Sequence, residues 1–134
     1  MTPRKNIIKL KTEPITHFTL IGISSHENDY RLLWSINQQF ELSFSQSDCL
    51  VTECDRRFAR FVHSDEDLLL VLVSNRCDNG FLLEKHKNLD FILKFDTQLC
   101  EDEIAKWVHD LRKTSLVSTA FHIPTNNKIM QLLG

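Results

Sequence analysis

Four polar side chains are the best candidates for contact with a ligand or a partner: Asp90, Asn75, Arg76 and Arg31. Asp90 interrupts an apolar run that is typical of a strand, and it follows the polar residues 85–88. A carboxylate, an amide and two guanidinium groups could together bind a polar molecule. The structural alternative remains open, because a carboxylate at a strand start also bonds to local backbone N–H groups or pairs with a lysine.

Familiar cofactor and metal motifs are missing from the sequence. The only internal glycines are Gly22 and Gly80, which excludes the glycine-rich loops that hold nucleotide phosphates. The six histidines do not fall at metal-ligand spacing, so we interpret them as surface or strand-face residues. The sequence therefore predicts no cofactor, no metal and no catalytic residue, and it leaves enzymatic activity undecided with a preference against it.

The cysteines and one acidic run offer little more. There are four cysteines at irregular spacing and no Cys-x-x-Cys, so we expect free thiols. Cys100 is the best candidate for a reactive thiol, because it lies where a helix is predicted to start. The consecutive acids at 65–67 point in different directions and indicate a solvated turn rather than a cation site.

Length and charge indicate one domain over residues 1–134 that avoids nucleic acid and membranes. Its net charge of −2 lacks the basic excess that phosphate binding needs. Basic side chains concentrate in residues 1–13, a segment we expect to be mobile, and residues 125–134 read as a short tail. The longest apolar run spans residues 68–73, far below the ~20 residues of a membrane helix. Without a signal peptide, we expect a cytoplasmic protein.

Two helices are predicted. The first covers residues 25–40 and begins at a capping box formed by Ser24 and Glu27. The second begins at Asp96 or Thr97, with acids in its first turns and Arg112-Lys113 at its end. Aromatic side chains on these helices are expected to pack in the core, with a ligand-stacking platform as the alternative: Tyr30, Trp34 and Trp107.

Strands are expected on both sides of the first helix. Alternating or β-branched runs predict strands at residues 15–23, 58–63, 68–74, 89–95 and 115–123. Residues 41–56 read as a loop with a short helical turn or an edge strand, and Asp78-Asn79-Gly80 predicts a tight turn. This order indicates an α+β fold, a two-layer domain in which a mostly antiparallel sheet of about four or five strands carries two helices on one face.

When helices cover only one face of a sheet, the apolar side chains on its other face are exposed unless another element packs on them. Apolar surface could come from Ile92 together with Phe58 and Val62, or with Ala59 and Phe61. We therefore expect a non-enzymatic domain that binds a protein partner or a second copy of itself. The alternative is a small-molecule-binding or enzymatic domain whose polar site surrounds Asp90.

Three stretches carry a resemblance to a known family. They are LIGISSHENDYRLLWSIN, SNRCDNGFLLEKHKNLDFILK and VSTAFHI, and the chain resembles the IPExxxVDY family from about Phe18 to Ile123. This is a group of small bacterial proteins named for its motif, with no assigned activity. Leu89-Asp90-Phe91 stands in place of Val-Asp-Tyr and keeps the aspartate. Leu83-Glu84-Lys85 stands in place of Ile-Pro-Glu and lacks the proline. The resemblance thus implies a family but no function.

Overall fold

The computed structural model describes residues 18–52, 55–66, 68–77, 80–125, 129 and 133. The main elements among them are two α-helices, a 3₁₀ turn at Glu84–His86 and ten strands. The helices are α1 (Asp29–Phe40) and α2 (Glu101–Lys113). The strands are β1 (Thr19–Ser25), β2 (Ser45–Gln46), β3 (Leu50–Val51), β4 (Arg57–Phe58), β5 (Arg60–Ser64), β6 (Leu69–Ser74), β7 (Arg76–Cys77), β8 (Gly80–Phe81), β9 (Phe91–Phe95) and β10 (Val117–Ile123).

The main sheet has six strands in the order β10-β1-β9-β6-β5-β2. Every neighbouring pair runs antiparallel. Two short hairpin-like pairs, β3-β4 and β7-β8, stand beside it. The predicted α+β class is confirmed, with a wider main sheet than the four or five strands expected.

Both helices lie on one face of this sheet. The first core joins α1 and α2 to the alternate residues of β9, and its buried members include Leu32, Ile36, Leu111, Leu93 and Phe95. Alternation along a strand sends every second side chain to the same face, which is why β9 supplies this core through its odd-numbered residues.

Much of the opposite face is covered as well, and the expectation of apolar surface there is wrong for its large side chains, although Val62 and Ala59 are only half-buried. Phe58 and Ile92 were expected to leave apolar surface in water, yet both are fully buried. They belong to a second core with Leu89 from the loop before β9, and with Ile129 and Leu133 from the predicted tail. Phe61, the other large side chain of that expectation, is also fully buried, in the first core. The loop before β9 and residues near the end of the chain therefore cover much of the face that α1 and α2 leave open.

Helix α1 begins later than predicted. Its N-cap is Asn28, whose side-chain oxygen accepts a hydrogen bond from the backbone N–H of Arg31 at 3.0 Å. The expected capping box of Ser24 and Glu27 is wrong, because β1 continues through Ser25. Asn is among the best N-cap residues, and the chain uses Asn28, four positions beyond the Ser24 that the pattern favoured.

Helix α2 also starts after the predicted caps, Asp96 and Thr97. Its N-cap is Cys100, whose backbone N–H donates to the carboxylate of Glu103 at 3.3 Å. At the other end, Arg112 donates from Nε to the carbonyl oxygen of Ala120 on the edge strand β10, at 2.9 Å.

Several predictions fall on residues outside the described part of the chain. These are the basic segment 1–13, the first residues of the predicted strand 15–23, Asp67 of the acidic turn, and Asp78 and Asn79 of the tight turn. The short elements predicted within residues 41–56 are present as the strands β2 and β3.

Candidate functional site

Asp90 lies immediately before β9 and joins β1 of the main sheet to β7 of the small β7-β8 pair. Its Oδ2 accepts the backbone N–H of Ser25 at 2.8 Å, and its Oδ1 accepts Nε–H of Arg76 at 2.7 Å. The side chain of Asp90 is 19% exposed. A carboxylate between an N–H and a guanidinium makes charge-assisted hydrogen bonds, so Asp90 fixes the end of β1 against β7.

Asn75 holds the loop that leads into β9. It is fully buried. Its Nδ2 donates to the carbonyl oxygens of His86 and Leu89 at 2.9 and 3.0 Å, and its Oδ1 accepts the N–H of Leu83 at 2.7 Å. Its own backbone N–H donates to the carbonyl of Asp90 at 2.9 Å. A buried amide with three such bonds replaces the backbone pairing that irregular chain cannot make for itself.

Three of the four predicted site residues therefore come together. Asn75 and Arg76 are adjacent in sequence, and both bond to Asp90. Arg31 contacts a different group, because its guanidinium pairs with Glu27 one helical turn earlier at 2.9 Å. In this cluster the polar groups that a ligand would contact already form hydrogen bonds within the protein. The contacts of Asp90, Asn75 and Arg76 position the backbone, and a ligand role for the four stays a prediction.

Lys94 is a half-buried cation that the sequence analysis does not single out. It lies on the second-core face of β9, where its Nζ donates to the carbonyl oxygen of Leu133 at 2.6 Å and lies 5.0 Å from the centre of the Phe18 ring. Burial lowers the pKa of the Lys94 ammonium, and the Asp96 carboxylate opposes that shift. The strand pattern offered a signal, since Lys94 shares its face with the buried Ile92.

His63 is the histidine with the most defined surroundings in the described chain. It is 5% exposed. Its Nδ1 accepts the backbone N–H of Ser43 at 3.0 Å, so the ring proton sits on Nε2, which lies 2.9 Å from Oδ2 of Asp65. The order of residues resembles a Ser-His-Asp arrangement, but the ring meets the serine backbone rather than its hydroxyl. The group that a nucleophile needs is not in contact with the base, and we assign His63 to anchoring the segment before β2.

A metal centre finds no support in the described residues. No group of three or more His, Cys, Asp or Glu side chains among them is placed to hold an ion. Likewise, within the part of the chain that the structure covers, no helix is long and apolar enough to cross a membrane.

The aromatic side chains of the two helices separate into two kinds. Trp107 stacks on Phe40 with ring centres 4.8 Å apart and meets the edge of Phe95 at 4.9 Å. Tyr30 and Trp34, by contrast, are 63% and 65% exposed. The prediction that these two pack in the core is wrong, because the buried stripe of α1 is centred on Leu32, Leu33, Ser35 and Ile36. We call Tyr30 and Trp34 the aromatic pair.

The aromatic pair borders a groove of about 380 Å³. The opposite wall is the turn between α2 and β10, which contributes Ser115 and Leu116. Leu116 has a φ of 78°, a conformation that is strained for a branched side chain. Two serine hydroxyls hold the turn: Ser25 donates to the carbonyl of Leu116, and Ser35 to that of Ser115, each at 2.7 Å.

A second cavity, of about 270 Å³, lies farther along the helix layer. Its apolar walls are Phe40, Leu42, Leu68 and Trp107, and its rim carries Lys106 and Asp110. Among the described residues neither Lys106 nor Asp110 takes part in an ion pair. This cavity, which we call the Trp107 pocket, thus combines an aromatic wall with one basic and one acidic residue.

Comparison with known proteins gives no family or relative from which a function could be inferred. A scan against protein-family models finds no match to this chain, and a search of curated proteins finds no similar sequence.

Proposed function

We propose that this protein is a non-enzymatic interaction module that binds another protein chain through the outer face of α1. The observation that carries the proposal is the aromatic pair, in which two large side chains one helical turn apart are both nearly two-thirds exposed. Exposed large aromatics in neighbouring positions are uncommon on monomeric proteins and mark interaction sites. Tyr and Trp are also the residues most enriched among the energetic centres of interfaces.

The surroundings of the aromatic pair support this proposal. The ring of Tyr30 leans edge-on against the buried Phe61 at 6.5 Å, so one aromatic is held in place before any partner arrives. Across the groove, hydrogen bonds fix the strained turn at Leu116. A rigid binding surface lowers the entropy lost on association.

The alternative, a ligand site around Asp90, has less support. Both carboxylate oxygens of Asp90 and the whole amide of Asn75 already hold partners within the chain. A small molecule would have to displace those bonds. The resemblance to the IPExxxVDY family, a bacterial source and a cytoplasmic location accompany the proposal as predictions.

The test compares the wild type with a Tyr30→Ala/Trp34→Ala variant. Sedimentation velocity at micromolar concentrations, together with the proteins that co-purify from native cytosol, gives the readout. We expect the double variant to lose association while keeping its thermal unfolding transition. Val51→Ala is the matched control, since Val51 is an apolar side chain 52% exposed in β3. A wild type that stays monomeric and brings no partner would overturn the proposal.

A further inference from the structure

We propose that the Trp107 pocket is a binding site for a free α-amino acid with a large apolar side chain. The pocket shares no lining residue with the groove at the aromatic pair, and the proposal does not depend on the proposed function. Three parts of the pocket match three parts of such a ligand. The apolar walls suit the side chain, and the basic and acidic residues of the rim suit the α-carboxylate and the α-ammonium group.

The walls of the pocket offer apolar surface that the fold covers only in part. Four partly buried side chains form these walls, and all of them pack against the first core: Phe40, Leu42, Leu68 and Trp107. The ring of Trp107 is stacked on Phe40 and also meets the edge of Phe95. The aromatic wall is therefore fixed before a ligand arrives, which limits the entropy lost on binding. An apolar side chain that enters the pocket removes further surface from water.

The volume of the pocket limits the size of its ligand. At about 270 Å³, the cavity is just smaller than the roughly 300–1,000 Å³ of sites for drug-sized ligands. A nucleotide or a multi-ring cofactor is larger than this space. The side chain of glycine or alanine would leave most of it empty. A single branched or aromatic side chain, such as that of leucine or phenylalanine, is the size that fits.

The rim carries one cation and one anion that are not paired within the described chain. Lys106 and Asp110 line the pocket one helical turn apart on α2, where neighbouring Cβ atoms are about 5–6 Å apart. They form no ion pair with each other or with another described residue. Asp110 accepts the Thr114 hydroxyl at 3.0 Å through its backbone carbonyl, so its carboxylate stays available.

A free amino acid supplies the complementary charges on a single carbon atom. Its α-ammonium group can donate to the Asp110 carboxylate while its α-carboxylate accepts from the Lys106 ammonium, and both contacts are charge-assisted hydrogen bonds. The charges stay at the rim in contact with water, so binding avoids the cost of burying an ion. The terminal residue of a peptide carries only one of these two charges. The complementarity therefore favours a free amino acid over a chain end.

The experiment is an NMR titration of the full chain with L-leucine or L-phenylalanine that follows the indole N–H signals. The chain has two tryptophans, so Trp107 reports on the pocket and Trp34 is the internal control. Trp34→Phe assigns the two signals. We expect only the Trp107 signal to move, with a dissociation constant of about 0.1–1 mM, as suits so small a ligand. No saturable movement up to about 20 mM of either amino acid would overturn the proposal.

Three related compounds test the three parts of the ligand separately. N-acetyl-L-leucine lacks the ammonium group, L-leucinamide lacks the carboxylate, and glycine lacks the apolar side chain. Each should bind at least about tenfold more weakly than L-leucine, because each leaves one part of the pocket without its partner. If N-acetyl-L-leucine or L-leucinamide binds as tightly as L-leucine, the pocket does not require both charges, and the assignment to a free amino acid is overturned.

Two variants test the rim from the side of the protein. Asp110→Asn and Lys106→Gln should each raise the dissociation constant for L-leucine about fivefold or more. Both should keep the thermal unfolding transition, because neither charged group has a partner within the described chain. Lys113→Gln is the matched control, since Lys113 is an exposed cation of α2 outside the pocket lining, and it should leave the constant unchanged. Unchanged constants in both rim variants would overturn the proposal.

Discussion

The two faces of the main sheet are closed by different means. On one face, α1 and α2 bury a regular apolar stripe, and their backbone hydrogen bonds are internal to the helices. On the other, the loop before β9 and the end of the chain supply Leu89, Ile129 and Leu133. The loop before β9 depends on the side chain of Asn75 for several of its polar contacts. Apolar packing stabilises the helical face. Apolar packing also stabilises the other face, but there it requires the buried Asn75 amide to satisfy the polar groups of the loop.

This difference locates the surface that is left for function. Much of both sheet faces is covered, and the two most exposed large apolar side chains among the described residues, Tyr30 and Trp34, lie on the helix layer. Trp107 and Trp34 illustrate the point within that layer. The first is packed between two phenylalanines, while the second is 65% exposed. Folding requires Trp107 and gains little from Trp34, so the presence of Trp34 calls for another explanation.

Asn75→Ala is the substitution that we expect to destabilise the loop-covered face most strongly. The substitution leaves the Leu83 N–H and the Leu89 carbonyl without their side-chain partner in the interior, and it removes one of the two hydrogen bonds to the His86 carbonyl. Each unsatisfied buried group costs about 1–3 kcal/mol, so we expect a loss of about 3–5 kcal/mol in the free energy of unfolding. Urea denaturation followed by circular dichroism measures it.

The matched control is Asn88→Ala, an exposed asparagine in the same loop. Its effect should stay within about 0.5 kcal/mol. Equal effects at positions 75 and 88 would show that the loop adds little to stability, and that the two faces are less different than their contacts suggest.

Trp107→Ala is expected to have the second-largest effect, a destabilisation of the helical face. Truncating a buried Trp costs about 3–5 kcal/mol, and Trp107 is only half-buried, so a loss of about 2–4 kcal/mol is expected. Trp34→Ala should change the free energy of unfolding by less than about 0.5 kcal/mol. Urea denaturation of the two variants, at a concentration where the protein is monomeric, measures the contrast. A Trp34 variant as unstable as the Trp107 variant would contradict the division of roles.

Asp90→Ala should have an intermediate effect. It removes two charge-assisted bonds, one to the Ser25 N–H and one to Arg76. Because Arg76 is half exposed, solvent replaces part of what is lost, and we expect a decrease of about 1–2 kcal/mol. Thermal unfolding measures the change. Unchanged stability together with an altered response to added small molecules would instead favour a ligand site at Asp90.

The smallest expected effect concerns Lys94 and pH. Its pKa is lowered in the folded chain from the ordinary value of 10.5. Between the lowered pKa and 10.5 the unfolded chain therefore holds more protons than the folded one, so stability from this residue rises with pH in that window. Lys94→Met should make the stability of the variant less dependent on pH there. Chemical denaturation of both proteins across the window checks it, and identical slopes would rule out the effect.

Regular periodicity made much of the fold predictable. The alternation of residues 89–95 and the apolar run at 68–74 led to β9 and β6, and the 3–4 spacing led to both helices. The start of α1 was misplaced because Ser24 and Glu27 satisfy a local capping pattern, whereas pairing of β1 with β10 extends the strand through Ser25. Tertiary pairing outweighed local preference.

The candidate site was harder to predict. Sequence placed Asn75, Arg76 and Asp90 in one region, but their mutual bonds depend on the loop between β8 and β9. The exposure of Trp34 was missed because Tyr30, Leu33, Trp34 and Phe40 fit a helical stripe as well as Leu32 and Ile36 do. The rotation of α1 about its own axis decides which of the two overlapping stripes faces the sheet. That rotation depends on the neighbouring elements and cannot be derived from the sequence of the helix alone.

The contact between Arg112 and the Ala120 carbonyl has a consequence for how copies of this protein can meet. An open edge strand such as β10 is a template onto which a further strand can add. Here a guanidinium already occupies the middle of that edge, and an incoming strand would first have to expel it and bury or displace its charge. The opposite edge strand, β2, is two residues long and offers few backbone groups with which a further strand could pair. Growth of the sheet into fibrils is thereby discouraged at both ends, and encounters between molecules are directed to the helical surface.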